Sequence, residues 1–171
     1  MRRRNSIGDR LISGARRGQR CDLRGVRNTR YAERLALGIT ALDGIETVLA
    51  SLHGRVQMGV VTSSNAEHFA IIHRTTGLLR YFDFVLTNGD YEHTKPHPAG
   101  YLAALARCRL TPEQCIVIED SERGLAAARA AGLRCIVLPR GLTRGGSFTG
   151  AYRVLDDAAE IADVLAPLIE G

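Results

Sequence analysis

From residue 31 onward, short apolar runs alternate with stretches of helical period, and few architectures accept that order. Ile45, Val48, Leu49 and Leu52 recur at helical spacing, with Gly54 as a stop. Residues 56–61 form an apolar run without polar alternation, the pattern of a strand buried on both faces. A helix is predicted from about Ala66 and ends before Gly77. A strand follows over 82–86, then a helix over 99–107 opened by Pro98. The same order repeats as a strand over 115–118, a helix over 122–131 stopped by Gly132, and a strand over 135–138. A Gly-rich loop over 140–150 and a helix over 157–169 close the chain. Strands joined through helices of this length imply right-handed crossovers and a parallel sheet sandwiched between helical layers. Ligands on such sheets bind beyond the carboxyl ends of the strands, so the residues just after each apolar run are the ones to inspect.

Thr62-Ser63-Ser64-Asn65 follows the first run. Hydroxyl groups and backbone N–H donors between a strand end and a helix suit an anion, and the same residues suit an ordinary N-cap. Thr94-Lys95-Pro96-His97-Pro98 follows the second. Of 23 basic residues in the chain, 22 are arginine and only Lys95 is lysine. A chain that accepts the planar guanidinium almost everywhere marks, by its one exception, a place where a compact ammonium is required. Such a place could hold a phosphoryl oxygen and a carboxylate together; a surface lysine without a role is the alternative. His97 reads as a loop or capping residue. Glu119-Asp120-Ser121 follows the third run. Adjacent acids ending an apolar strand are costly unless they face a cation, and hard oxygen ligands suit Mg²⁺; Asp120 or Ser121 could equally cap the next helix. A hydroxyl, a lysine and an acidic pair at three successive strand ends compose a phosphate-and-magnesium site. Response-regulator receivers use similar groups in a different order, with the acidic pair first.

The ordered segments GVVTSS (59–64), FDFVLTNGDYEHTKPHPAGYLAAL (82–105) and CIVIEDSERGLAAARAAGLRCIVLP (115–139) closely resemble the haloacid dehalogenase superfamily, in its capped phosphatase and β-phosphoglucomutase-like branch. The resemblance covers roughly residues 31–140. It implies a three-layer α/β/α, Rossmann-like core acting on a small phosphorylated metabolite with Mg²⁺, by way of an aspartyl-phosphate. Thr62 and the Ser63 backbone would bind phosphate, Lys95 would steady the phosphoryl oxygens and the nucleophile, and Glu119 with Asp120 would bind Mg²⁺. The family's first motif, Asp-x-Asp-Gly-Thr/Val, has its nearest match at Cys21-Asp22-Leu23-Arg24-Gly25-Val26, which makes Asp22 the candidate nucleophile. Arg24 stands where the family has its proton-shuttling acid, and a guanidinium cannot donate a proton near neutral pH. Residues 31–38 resemble the last turn of a helical cap. The expectation is a core that lacks its first strand, its nucleophile and most of its cap, with unpaired strand edges, lowered stability and weak turnover. A non-catalytic remnant or phosphate-binding module of the same fold is the alternative.

Charge sharpens the boundary. Residues 1–30 carry ten arginines against Asp9 and Asp22, a net of +8, whereas residues 31–171 carry 13 basic and 16 acidic residues, a net of −3. Residues 1–30 therefore read as an Arg-rich leader, disordered in composition, and residues 31–171 as the core domain with a cap remnant at about 31–40. Arg-rich, acid-poor composition also fits a transit peptide or a nucleic-acid arm. No aromatic interleaves these arginines to stack on bases, so nucleic acid is not the expected partner. No apolar run approaches the roughly 20 residues of a membrane span. Four cysteines without paired spacing argue against a disulfide or zinc framework and for a cytoplasmic, reducing setting. The sequence leaves the oligomeric state open.

Overall fold

The computed structural model describes residues 41–74 and 76–170. Their element order is helix α1 (Ile45–Leu52), strand β1 (Gly59–Val61), α2 (Ala66–His73), β2 (Phe84–Leu86), α3 (Ala99–Cys108), β3 (Ile116–Glu119), α4 (Glu122–Ala130), β4 (Arg134–Val137), β5 (Arg153–Val154) and α5 (Glu160–Ile169). Short 3₁₀ turns at Leu78–Tyr81, Pro112–Gln114 and Gly141–Thr143 fill the connections. Local chemistry explains the boundaries. The Asn65 side chain accepts the His68 N–H at 2.8 Å to open α2, and Ser121 Oγ accepts the Gly124 N–H at 3.2 Å to open α4. The capping choice left open by the sequence thus falls to Ser121, which leaves Asp120 outside the helix.

Strand β4 shows how the layers arise. Successive side chains on a strand point to opposite faces. Ile136 and Leu138 enter a cluster with Val48 and Leu52 of α1 and Ile161 and Leu165 of α5. Cys135 and Val137 enter another with Tyr101 of α3 and Leu125, Ala127 and Ala128 of α4. Helices therefore cover both faces of the sheet, giving the expected three-layer α/β/α order. A third cluster joins Phe84, Leu86 and Tyr91 to Ala99, Ala103, Ala104 and Cys108 of α3.

All pairings are parallel, as expected, but the described strands form two sheets: β1–β2, and β3–β4–β5. Among the described residues β1 and β3 do not pair; β1 has β2 as its one ladder partner and β3 has β4. The first run was expected to be buried on both faces; its strand is instead only three residues long, with Gly59 exposed and Val60 and Val61 half-buried. Ile118, within β3, is 43% exposed. Gly59 also admits its neighbour: a Cβ there would stand 2.1 Å from the Phe84 ring, which lies across it in the ladder.

Three expectations concern residues outside the described ones: the leader (1–30), Asp22 as nucleophile and the cap remnant (31–40). Among the described residues, no helix is long and apolar enough to cross a membrane, and Cys108, Cys115 and Cys135 are free thiols. Burial pushes the Cys135 thiol up to about 12, so it stays protonated and inert.

Candidate active site

The carboxyl end of β1 supplies the first groups. Thr62 continues the strand, its N–H donating to the Leu86 carbonyl at 2.9 Å. Its Oγ1 accepts the Ser64 N–H at 3.1 Å, so the hydroxyl proton is left to donate elsewhere. The Ser63 N–H makes no hydrogen bond among the described residues. The N-cap of α2, Asn65, stands three residues beyond Thr62, and the helix adds the positive end of its dipole. From the β2–α3 loop, the Tyr91 hydroxyl donates to the Thr62 carbonyl at 2.6 Å and fixes this turn. Burial raises the Tyr91 phenol above its ordinary value, which keeps it a donor.

Lys95 lies on the same loop and reaches back to both sheets. Its Nζ donates to the Val61 carbonyl at 2.8 Å and to Glu119 Oε1. A lysine ammonium has three N–H donors. Two are spent, one on each strand end, and the third remains for a ligand. The Lys95 carbonyl in turn accepts from Arg123 in the first turn of α4, so the loop is tied to the acidic turn through backbone as well as side chain.

Glu119 and Asp120, adjacent in sequence, differ in environment. Glu119 is 9% exposed, and its Oε1 accepts from both Lys95 and the Tyr101 hydroxyl. A Cβ on Gly124 would come within 1.8 Å of Glu119 Oε2, so the bare α4 backbone is what admits this carboxylate. A buried carboxylate so paired with an ammonium is what low-dielectric surroundings require. Asp120 is exposed and makes no hydrogen bond or ion pair among the described residues. Nor do those residues contain a cluster of three or more His, Cys, Asp or Glu placed to hold a metal. An uncommitted carboxylate at a strand end fits Mg²⁺, which keeps several waters and needs few protein ligands. Glu119, with Oε1 committed to Lys95 and Tyr101, offers a cation less.

The structure thus brings Lys95 into contact with Glu119 and with the strand that ends at Thr62. His97 stays outside: its Nδ1 accepts the Ala99 N–H at 3.2 Å at the start of α3. Sequence reasoning missed Tyr91, Tyr101, Arg123 and Gly124. Only Gly124, a glycine in a helical first turn three residues after a capping serine, carried a signal that could have been read.

A parallel α/β/α core with a hydroxyl turn, a bridging lysine and an acidic strand end agrees with the match of residues 16–138 to the haloacid dehalogenase-like hydrolase family. The chain belongs to that family. It is 32% identical over 157 residues to Protein CbbY of Cereibacter sphaeroides, covering 86% of this chain and 68% of that one. It is 37% identical over 100 residues to the fructose-1-phosphate phosphatase YqaB of Escherichia coli (strain K12), covering 56% of this chain and 53% of that one. A mutant CbbY from Rhodobacter sphaeroides, solved in complex with xylulose-(1,5)bisphosphate, superposes with a TM-score of 0.74 at 32% identity. That match covers 82% of this chain and 64% of the solved one, so the chain spans about two thirds of these CbbY proteins.

Proposed function

We propose that this chain grips the phosphoryl group of a small phosphorylated metabolite, of the sugar-phosphate class, at the carboxyl ends of β1 and β3. The observation that carries the reading is the Lys95 ammonium, tied to Val61 and Glu119 with one N–H to spare beside the Thr62–Ser63 turn. Three donors of different kinds then face one anion: the Thr62 hydroxyl, the Ser63 N–H and Lys95 Nζ. Together they offset the charge of a transferring phosphoryl group, which is mostly what such chemistry asks of a protein. Asp120 would hold Mg²⁺, with Glu119 serving the lysine first. When bound, the cation would neutralise developing charge on the phosphoryl oxygens. The activity is that of a phosphatase or phosphomutase working in the cytoplasm, supported by the phosphatases among the relatives. The nucleophile of that reaction would have to come from outside the described residues.

Calorimetric titration with inorganic phosphate in the presence of Mg²⁺ tests the grip. Lys95→Met is expected to weaken binding roughly tenfold to a hundredfold, the scale of one lost charge-assisted hydrogen bond of about 1.5–3 kcal/mol. Unchanged affinity would remove Lys95 from the site. Parallel assays with p-nitrophenyl phosphate separate the rival classes: Mg²⁺-dependent phosphate release marks a phosphatase, and binding without release marks a phosphate-binding module.

A further inference from the structure

The lysine that carries this reading is itself held from below by a side chain with no assigned part in the site. Tyr101 is 5% exposed and sits in the first turns of α3, packed with Leu125, Ala128 and Val137. Its hydroxyl donates to Glu119 Oε1, the same oxygen that accepts from Lys95. Its ring faces the ammonium, with Nζ 5.1 Å from the centroid, inside the range of a cation–π contact. One residue therefore touches both halves of the ion pair.

We propose that Tyr101 is a positioning residue, whose hydroxyl fixes Glu119 Oε1 and whose ring seats Lys95 Nζ, so that the remaining ammonium N–H points at the phosphoryl site. The argument is one of degrees of freedom. A glutamate carboxylate can rotate about its terminal bond and swing on two others, and a lysine has four rotatable bonds. An ion pair between them alone leaves the direction of the third N–H loose. Three restraints remove that freedom. The tyrosine hydroxyl chooses the oxygen, the close backbone at Gly124 blocks the carboxylate from folding toward α4, and the ring closes one side of the ammonium. Arg123 fixes the lysine backbone from the other end. The hydroxyl is buried with Glu119 Oε1 as its partner, so it donates to that carboxylate.

The inference rests on the phosphate reading for its consequence, and the chain provides a reporter that separates the two. Lys95 is the only lysine. Lysine labelled with ¹⁵N at Nζ gives one side-chain resonance, without assignment, in the full chain. Tyr101→Phe keeps the ring and its packing and deletes only the hydroxyl. In phosphate-free buffer, the variant is expected to shift the Nζ resonance and speed its hydrogen exchange with water; an unchanged resonance and exchange rate would overturn the proposal. On titration with inorganic phosphate, the wild-type resonance is expected to move and saturate. The variant should need roughly fivefold to twentyfold more phosphate, less than the loss expected for Lys95→Met because Tyr101 acts on phosphate only through Glu119 and Lys95. Equal affinity in the two chains would also overturn the positioning role. A wild-type resonance indifferent to phosphate would instead overturn the phosphate reading while leaving the phosphate-free comparison decisive for Tyr101. Should Tyr101→Phe fail to fold, the wild-type chain supplies the second measurement: the protons on Nζ are expected to exchange more slowly than those of free lysine and to carry the ring-current shift of an ammonium beside an aromatic ring, and free-lysine exchange and shift would overturn the proposal.

Discussion

The two sheets share the same strand–helix–strand wiring yet bury their strands to different depths. In β3–β4–β5 the strand β4 is covered on both faces, and Ile136 and Val137 are fully buried. In β1–β2 only β2 is well buried, with Phe84 at 9% and Leu86 at 7% exposure, and β1 is half open. The groups of the candidate site divide along the same line. Thr62 and Ser63, which would take the phosphate, belong to the thinner sheet, whereas Glu119 and Asp120 belong to the thicker one. Lys95 belongs to neither and bonds to both. The division teaches that the site is assembled by a loop between two separately supported strand ends.

The largest expected effect sits in the thicker sheet. Ile136→Ala should cost about 2–5 kcal/mol, because a closed core cannot collapse onto the lost atoms. Leu86→Ala, in the more open sheet, should cost nearer the lower end of that range. Urea midpoints of the two variants check this, and an equal or larger loss at Leu86 would break the distinction. Next comes Gly124→Ala. Its methyl group would collide with Glu119, and the expected loss is about 1–3 kcal/mol together with weaker phosphate binding. Retained stability and affinity would show that Glu119 can leave its place without consequence for Lys95.

The smallest effect is a pH dependence in the thinner region. Burial lowers the His73 pKa below its ordinary 6.5, at the end of α2 and against the Phe69 ring. The folded chain then binds fewer protons than the unfolded chain just below that value. This contribution to stability is therefore complete above pH 6.5 and lost as pH falls through the lowered value. Melting curves across that window should show the loss, and His73→Gln should remove this part of it. An identical profile in the variant would place the pH sensitivity elsewhere.

The alternation of apolar runs and helical periods was legible because each signal is local. Asn65, Ser121 and the glycines that end helices act on their own neighbours. The three strand-end motifs could be read for the same reason, since a strand end is a place in sequence as well as in space. The lateral limits of the strands could not. Residues 56–58 are apolar enough for a strand, but β2 offers partners only from Gly59 onward. The two-residue strand β5 is too short to leave a period and exists because β4 accepts it alongside. Tyr101 was invisible for a further reason. Five residues and a helix start separate it from Lys95, and only the fold brings its hydroxyl to Glu119.

Helix α3 meets the two sheets with different chemistry, and this has a mechanical consequence. Against the thinner sheet it presents Ala99, Ala103 and Ala104, small side chains that interlock little. Against the thicker sheet it presents Tyr101 and Leu105, of which Tyr101 is also hydrogen-bonded. One flank is a smooth bearing and the other a rivet. The rivet lies on the side where Glu119 stands, so the carboxylate that receives Lys95 is anchored to the helix, while the Val61 carbonyl at 2.8 Å holds the same ammonium to the other sheet.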